Sequence, residues 1–172
     1  MIVRLKAVAF LVAMLLSGCT LTFPQVNAAV QLIPLLKNEQ KVQGAPIWLA
    51  SVGGVGAVLT PYAMEGYTLF ANEDGDAIAF DGWIVRAIYG FGLTEPIKVS
   101  GKTGSRSISS SRGRTKTMCS EWISQPDESS LRWQQTCSAG PGEIAVNSDG
   151  NIEEIRMSLG RELGSVALRV RH

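Results

Sequence analysis

Residues 66–89 read GYTLFANEDGDAIAFDGWIVRAIY, and this stretch decides the fold class. Apolar runs at 66–71, 77–80 and 83–89 are separated by Asn72, Glu73, Asp74 and Gly75, then by Asp81 and Gly82. Runs this short, bounded by turn residues, are strand-like, because a helix needs a longer sustained 3.6-residue period. Asp-Gly between two apolar runs predicts a tight hairpin, since a type I′ turn needs two residues that tolerate positive φ. The stretch therefore predicts a three-stranded antiparallel meander.

The same style extends outward in both directions. An apolar run at 47–52 leads into Gly53, Gly54 and Gly56, which lack the spacing of a dinucleotide fingerprint and read as a turn or bulge before the run at 57–60. Further on, 117–124 and 131–137 are expected to pair around a turn at 126–130, and 143–147 with 152–159 around Asp149 and Gly150. The run at 165–170 ends the chain, with Val166, Leu168 and Val170 alternating cleanly against Ala167 and Arg169. Residues 152–163 also admit a helix, because acids precede bases there. The 18 glycines and 7 prolines form no repeat and punctuate turns. These runs predict an all-β fold, an antiparallel meander of about eight strands forming a barrel or sandwich.

Composition bounds the rest. Of 172 residues 45% are apolar and 18% charged, with a formal net charge of +1. Such a chain has material for one core and no global field, which excludes a disordered chain, a coiled coil and a strongly charged nucleic-acid binder.

The N-terminus carries an address. Arg4 and Lys6 precede an apolar stretch at 7–16 and the small pair Ser17 and Gly18, the order of a secretory signal whose core is too short to span a bilayer. Leu16, Ser17, Gly18 and Cys19 resemble the lipobox of bacterial lipoproteins, in which the cysteine is acylated and becomes the first mature residue. Three acyl chains would anchor far more firmly than the single chain that binds reversibly. Thr20 stands where an aspartate would favour inner-membrane retention, which points to the outer membrane with the globular part on the periplasmic side. The expected organisation is a signal peptide at 1–18, a lipidated tether at 19–31 and a single β-rich domain at 32–172. A short apolar piece at 30–36, broken by Pro34, lies at that junction.

With Cys19 assigned to lipid, Cys119 and Cys137 remain in a compartment that oxidises thiols. They are expected to form a disulfide, closing a loop worth roughly 3 kcal/mol by chain entropy. A metal site is the competing reading, but the only histidine is terminal, His172.

Catalytic chemistry is sparse. A Ser-His-Asp or Cys-His arrangement needs an imidazole held in place, and His172 offers none. Gly101, Lys102, Thr103 and Gly104 mimic the end of a phosphate loop, but Pro96 replaces the upstream glycine. Glu73, Asp74, Asp76 and Asp81 form an acidic turn region, readable as a calcium or carboxylate-pair site and more simply as solvated turns. No enzyme activity, metal or cofactor is expected.

One segment is less bland. Between positions 98 and 116 lie Lys98, Lys102, Arg106, Arg112, Arg114 and Lys116 with no acid among them and serine or glycine in the gaps. This reads as a flexible basic loop that attracts an anionic polymer or lipid surface, or as a solvated insertion between hairpins.

The string DGWIVRAIYGFGL at 81–93, with Gly82, Ile84, Val85, Arg86, Gly92 and Leu93, is similar to a segment of the lipoproteins of group 4 capsule and Yjb-type exopolysaccharide operons. The aromatic-led strand and acidic turn before it, from Tyr67 to Phe80, share that family's style. The C-terminal half departs from it: where the family has a Trp-containing strand followed by a Gln and Pro segment, residues 147–159 stand instead. The resemblance implies a non-enzymatic accessory in assembly or export of a surface polysaccharide. It makes Trp83, Arg86 and Tyr89 candidates for glycan or partner contact, since aromatics stack on sugar faces and arginine pairs acidic sugars. The alternative is a structural envelope lipoprotein whose partner is a protein.

Overall fold

The computed structural model describes residues 44–127 and 130–171. The signal peptide, Cys19, the tether and the apolar piece at 30–36 lie outside the described residues.

Thirteen strands follow one another: β1 (Trp48–Val52), β2 (Val55–Met64), β3 (Tyr67–Ala71), β4 (Ala77–Phe80), β5 (Val85–Tyr89), β6 (Ile97–Lys102), β7 (Ser105–Ser110), β8 (Gly113–Met118), β9 (Ile123–Asp127), β10 (Ser130–Cys137), β11 (Gly140–Asn147), β12 (Ile152–Gly160) and β13 (Gly164–Val170). They form a single antiparallel sheet ordered β8-β7-β6-β5-β4-β3-β2-β1-β13-β12-β11-β10-β9. Chain order and sheet order part company at β1, which pairs with the last strand, Trp48 opposite Val170 and Val52 opposite Val166. The chain is all-β, an antiparallel meander curled into a half-barrel.

The curl has a corner in β2. Its residues 55–59 pair with β1 and its residues 60–64 with β3, so this one strand passes from one half of the sheet to the other. Pro61 lies in the second half, where β3 is the pairing partner, and its missing N–H costs the ladder to β1 nothing. Inward side chains from both halves then meet in one core. Trp48, Phe70, Ile78, Phe80, Ile88 and Ile97 pack with Ile144, Ile155, Leu159, Val166 and Leu168. Trp48 and Phe70 touch edge-on with centroids 4.8 Å apart. A smaller apolar cluster covers the outer side of β3 and β4, where Leu69, Ala71, Ala77 and Ala79 sit under Tyr62, Met64, Ala87 and Tyr89. Both faces of β4 are therefore covered, which explains why its sequence AIAF is continuously apolar instead of alternating.

The meander expected at 66–89 is present as β3, β4 and β5. Its second turn is wider than a two-residue hairpin. Phe80 pairs with Val85, and Asp81 Oδ1 accepts hydrogen bonds from the backbone N–H of Trp83 (2.9 Å) and Ile84 (2.7 Å) in the link between them. The carboxylate organises this turn, and Gly82 supplies the positive φ of 95°.

Two expectations need correction, and one open choice, strand or helix at 152–163, is decided for the strand. There are thirteen strands, where about eight were expected. The larger part of the difference lies in the basic segment, which is not a loop: residues 98–116 run through β6, β7 and β8, which pair with each other across two short turns. Residues 152–163 are not helical, since β12 pairs with β11 and β13, and Ile155, Met157 and Leu159 alternate into the core.

Candidate functional site

Cross-strand register sorts the basic residues into two groups. On β6 the inward positions are Ile97 and Val99, leaving Lys98, Ser100 and Lys102 outward. On β8 Thr117 is buried, and Arg114 and Lys116 point out. Lys98, Ser109 and Arg114 form one row across β6, β7 and β8, and Ser100, Ser107 and Lys116 form the next. The Arg114 Nε donates to Ser109 Oγ at 3.2 Å, in keeping with a shared face. Neighbouring strands lie about 4.8 Å apart, so each row is about 10 Å wide. The result is an outer face of four exposed cations, Lys98, Lys102, Arg114 and Lys116, with serines between them and no acid on any of the three strands. Arg112 lies beyond it in the β7–β8 turn, where its guanidinium donates to the Glu162 carbonyl at 2.8 Å.

The contrast with the other half of the sheet is instructive. A shallow groove of about 480 Å³ there is lined by Arg132, Arg156, Arg169 and Arg171, but also by Glu153 and Glu154. Arg132 is paired with Glu143, and Arg156 with Glu154 at 2.6 Å. That face is balanced, whereas the face of β6 to β8 is positive throughout.

Arg106 belongs to neither face. On β7 it shares the inward side with Ile108, and it is only 3% exposed. Its guanidinium donates to Gln135 Oε1 and, at 3.4 Å, to the Met157 sulfur. Gln135 in turn donates to the carbonyls of Thr103 (3.0 Å) and Ser120 (2.6 Å). Burial and the nearby Arg86 lower the Arg106 pKa, and Asp81 partly offsets them. So the sixth predicted polyanion contact points into the protein instead of toward solvent.

The predicted trio of Trp83, Arg86 and Tyr89 also divides. Arg86 Nε and Asp81 Oδ2 form an ion pair at 2.6 Å, and the guanidinium donates to the Gly101 carbonyl at 2.8 Å. Trp83, 43% exposed, stands on the adjoining turn. Tyr89 is elsewhere, packed in the outer apolar cluster. Burial raises the Asp81 pKa, but the Trp83 and Ile84 amides together with Arg86 outweigh it and hold the carboxyl below its usual range.

Trp83 instead joins two residues that sequence reasoning did not single out. Its ring lies 5.7 Å from Trp122 and 5.2 Å, edge-on, from Trp133. Trp122 also lies 6.0 Å from the Arg106 guanidinium and covers Gly142, where a Cβ would meet its ring at 3.3 Å. A signal for this was available: Trp133, Gln135 and Cys137 share one parity on β10, so a strand that brings Cys137 inward brings Trp133 with it.

Cys119 and Cys137 are disulfide-bonded, as expected. The bridge joins the opposite ends of the sheet order. Around it Ser120 N donates to the Thr136 carbonyl and Ser138 N to the Met118 carbonyl, both at 2.8 Å. Thr117 Oγ1 and Ser138 Oγ lie 3.0 Å apart, extending the contact.

Two of the four acidic turn residues, Asp76 and Asp81, have structural work. Asp76 Oδ1 accepts from Phe91 N at 2.6 Å and Asp76 Oδ2 from Asn72 at 3.1 Å, while Asp81 holds its turn and Arg86.

No protein-family model matches the chain, and no curated protein matches it by sequence. Its fold is similar to that of a solved structure, the hypothetical lipoprotein YmcC from Escherichia coli (K12). The two superpose with a TM-score of 0.51 at 11% identity, over 84% of this chain and 95% of that one. At that identity the likeness is one of fold.

Proposed function

We propose that this chain is an outer-membrane lipoprotein that acts as a non-enzymatic accessory in assembly or export of an acidic surface polysaccharide, a capsule or an exopolysaccharide. The observation that carries the proposal is the positive outer face of β6 to β8. Four exposed cations in register, none with an acid on the same strands, attract an extended polyanion, and the intervening Ser100 and Ser109 offer hydroxyls to its sugars. The lipobox at 16–19, the similarity of 81–93 to capsule and exopolysaccharide lipoproteins, and a fold shared with a protein described as a lipoprotein support the same reading.

The mechanism is electrostatic and geometric. Acylation of Cys19 confines the protein to a membrane surface, and the basic face concentrates the acidic glycan beside it. No bond is made or broken.

The test is the amount of secreted and cell-bound polysaccharide in a strain lacking the chain, compared with one carrying Cys19→Ala. Loss in both supports a membrane-anchored role. Unchanged polysaccharide in both overturns the proposal and leaves a structural envelope protein that acts through a protein partner.

A further inference from the structure

At one end of the half-barrel the two halves of the core leave a space between them. This cavity, of about 600 Å³, is floored by Trp48, Phe70, Phe80 and Ile155, which come from both halves of the sheet. Half-buried Ile152 and Val170 form its wall, and exposed Pro46, Gly82, Gly150 and Asn151 surround its mouth, so it opens to solvent. A concave, mostly apolar space of this size, with a few polar groups at its edge, is the ordinary form of a small-molecule site. Its floor suits a hydrocarbon chain, whose apolar surface leaves water on entering.

The rim of the cavity is shared with a second space. Glu153 and Val170 line it, and they also line the outer groove of about 480 Å³ that holds Arg169 and Arg171. Charge within that groove is unevenly placed. Arg132 is paired with Glu143 and Arg156 with Glu154, whereas Arg169 and Arg171 are exposed and have no ion pair among the described residues. Glu153 accepts from Asn147 at 3.2 Å and is the single carboxylate beside these two guanidiniums, which leaves that side positive. Val170 stands between Arg169 and Arg171 in the chain, so the apolar wall and both cations belong to one strand end. Guanidiniums placed this way receive a phosphate group by charge-assisted hydrogen bonds.

The source of such an amphiphile follows from where the cavity lies. Ala45 and Pro46 line it and are also where the chain enters the domain from the Cys19 side, so the cavity is at the end to which a lipid anchor is tied. We propose that this end of the half-barrel binds a phosphate-bearing membrane lipid, with one hydrocarbon chain in the cavity and the phosphate across the rim on Arg169 and Arg171. The site goes beyond the polysaccharide reading and shares no residue with the basic face of β6 to β8.

The experiment is a titration of the full chain, held in a fluorinated detergent whose tails mix poorly with hydrocarbon. The probes are dodecyl phosphate, dodecyl glucoside, butyl phosphate and glycerol phosphate, followed by calorimetry and by the indole N–H resonance of Trp48. Dodecyl phosphate is expected to bind once per chain, to shift the Trp48 signal, and to bind at least tenfold more tightly than the neutral glucoside or the short-tailed butyl phosphate. Glycerol phosphate, which has no tail, should leave that signal unmoved. Arg169→Gln with Arg171→Gln changes two exposed side chains and should bring the affinities for dodecyl phosphate and dodecyl glucoside within twofold of each other. Thr68→Trp places a ring in the cavity and should abolish the shift; if that variant does not fold, the comparison of dodecyl with butyl phosphate decides the matter on the wild-type chain. Lys98→Gln, Arg114→Gln and Lys116→Gln together should leave binding unchanged. Equal affinity for dodecyl phosphate and the glucoside, equal affinity for the long and short phosphates, or loss of binding in the triple variant would overturn the site. So would an unmoved Trp48 signal, the result expected if the chain's own acyl groups or its apolar piece at 30–36 fill the cavity.

Discussion

Asp81 shows how one side chain can fix a turn and orient a neighbour. It accepts two backbone N–H groups and pairs with Arg86, and it is largely buried by them. Its folded pKa is depressed, so its contribution is fully present above the ordinary carboxylate pKa of about 3.9 and is lost as pH falls through the lower folded value. Asp81→Asn is expected to cost about 1–2 kcal/mol near neutrality, after allowance for partial solvent screening. Urea midpoints measured from pH 7 downward should show the gap between wild type and variant closing in acid. Gly90 is a second such position. At a φ of 74°, an added Cβ would stand 2.4 Å from Asp76 Oδ1 and 2.7 Å from Asp76 Cα. Gly90→Ala should therefore destabilise the fold by roughly 2 kcal/mol or more, read as a lowered thermal midpoint. Residue roles of this kind are only half legible in the sequence. Arg86 within an apolar run stands out as a rim or paired arginine, but its partner Asp81 and the inward turn of Arg106 depend on register.

Strands were legible where their sequence alternates or is apolar throughout, and obscured where it does neither. The hairpins from Tyr67 to Tyr89 and the final strand follow their apolar patterns closely. In sequence the basic segment has the character of a loop because serine, glycine and arginine dominate it. Yet Ile97 and Val99 on β6, and Arg106 and Ile108 on β7, keep a two-residue inward period. An arginine at an inward position broke the hydrophobic version of that signal. The ambiguity over 152–163 arose from charge order, and pairing on both sides of β12 settled it in favour of a strand. At this scale the disulfide is the joint between β8 and β10. Replacing Cys119 and Cys137 together by alanine is expected to lower stability by about 2–4 kcal/mol. Hydrogen exchange should quicken first at the Ser120 and Ser138 amides, whose bonds flank the bridge, while β11, β12 and β13 remain protected.

For the whole molecule, topology turns a scattered set of basic residues into a surface. Positions 98 and 114 are distant in sequence and meet only because β6, β7 and β8 fold back on each other in register. Sequence reading found the charges and their lack of acids; it had no access to their sharing one face, nor to the tryptophan group that gathers from three separate segments. Exposed residues away from buried features change stability little, so reversing these charges should leave the fold intact. Lys98→Glu, Arg114→Glu and Lys116→Glu together remove most of the positive face and make it repel a polyanion. The decisive measurement is secreted and cell-bound polysaccharide in a strain whose only copy of the chain carries these three substitutions. The account predicts a loss close to that of the deletion strain, with the protein present at its normal level. Polysaccharide at the wild-type amount would contradict it.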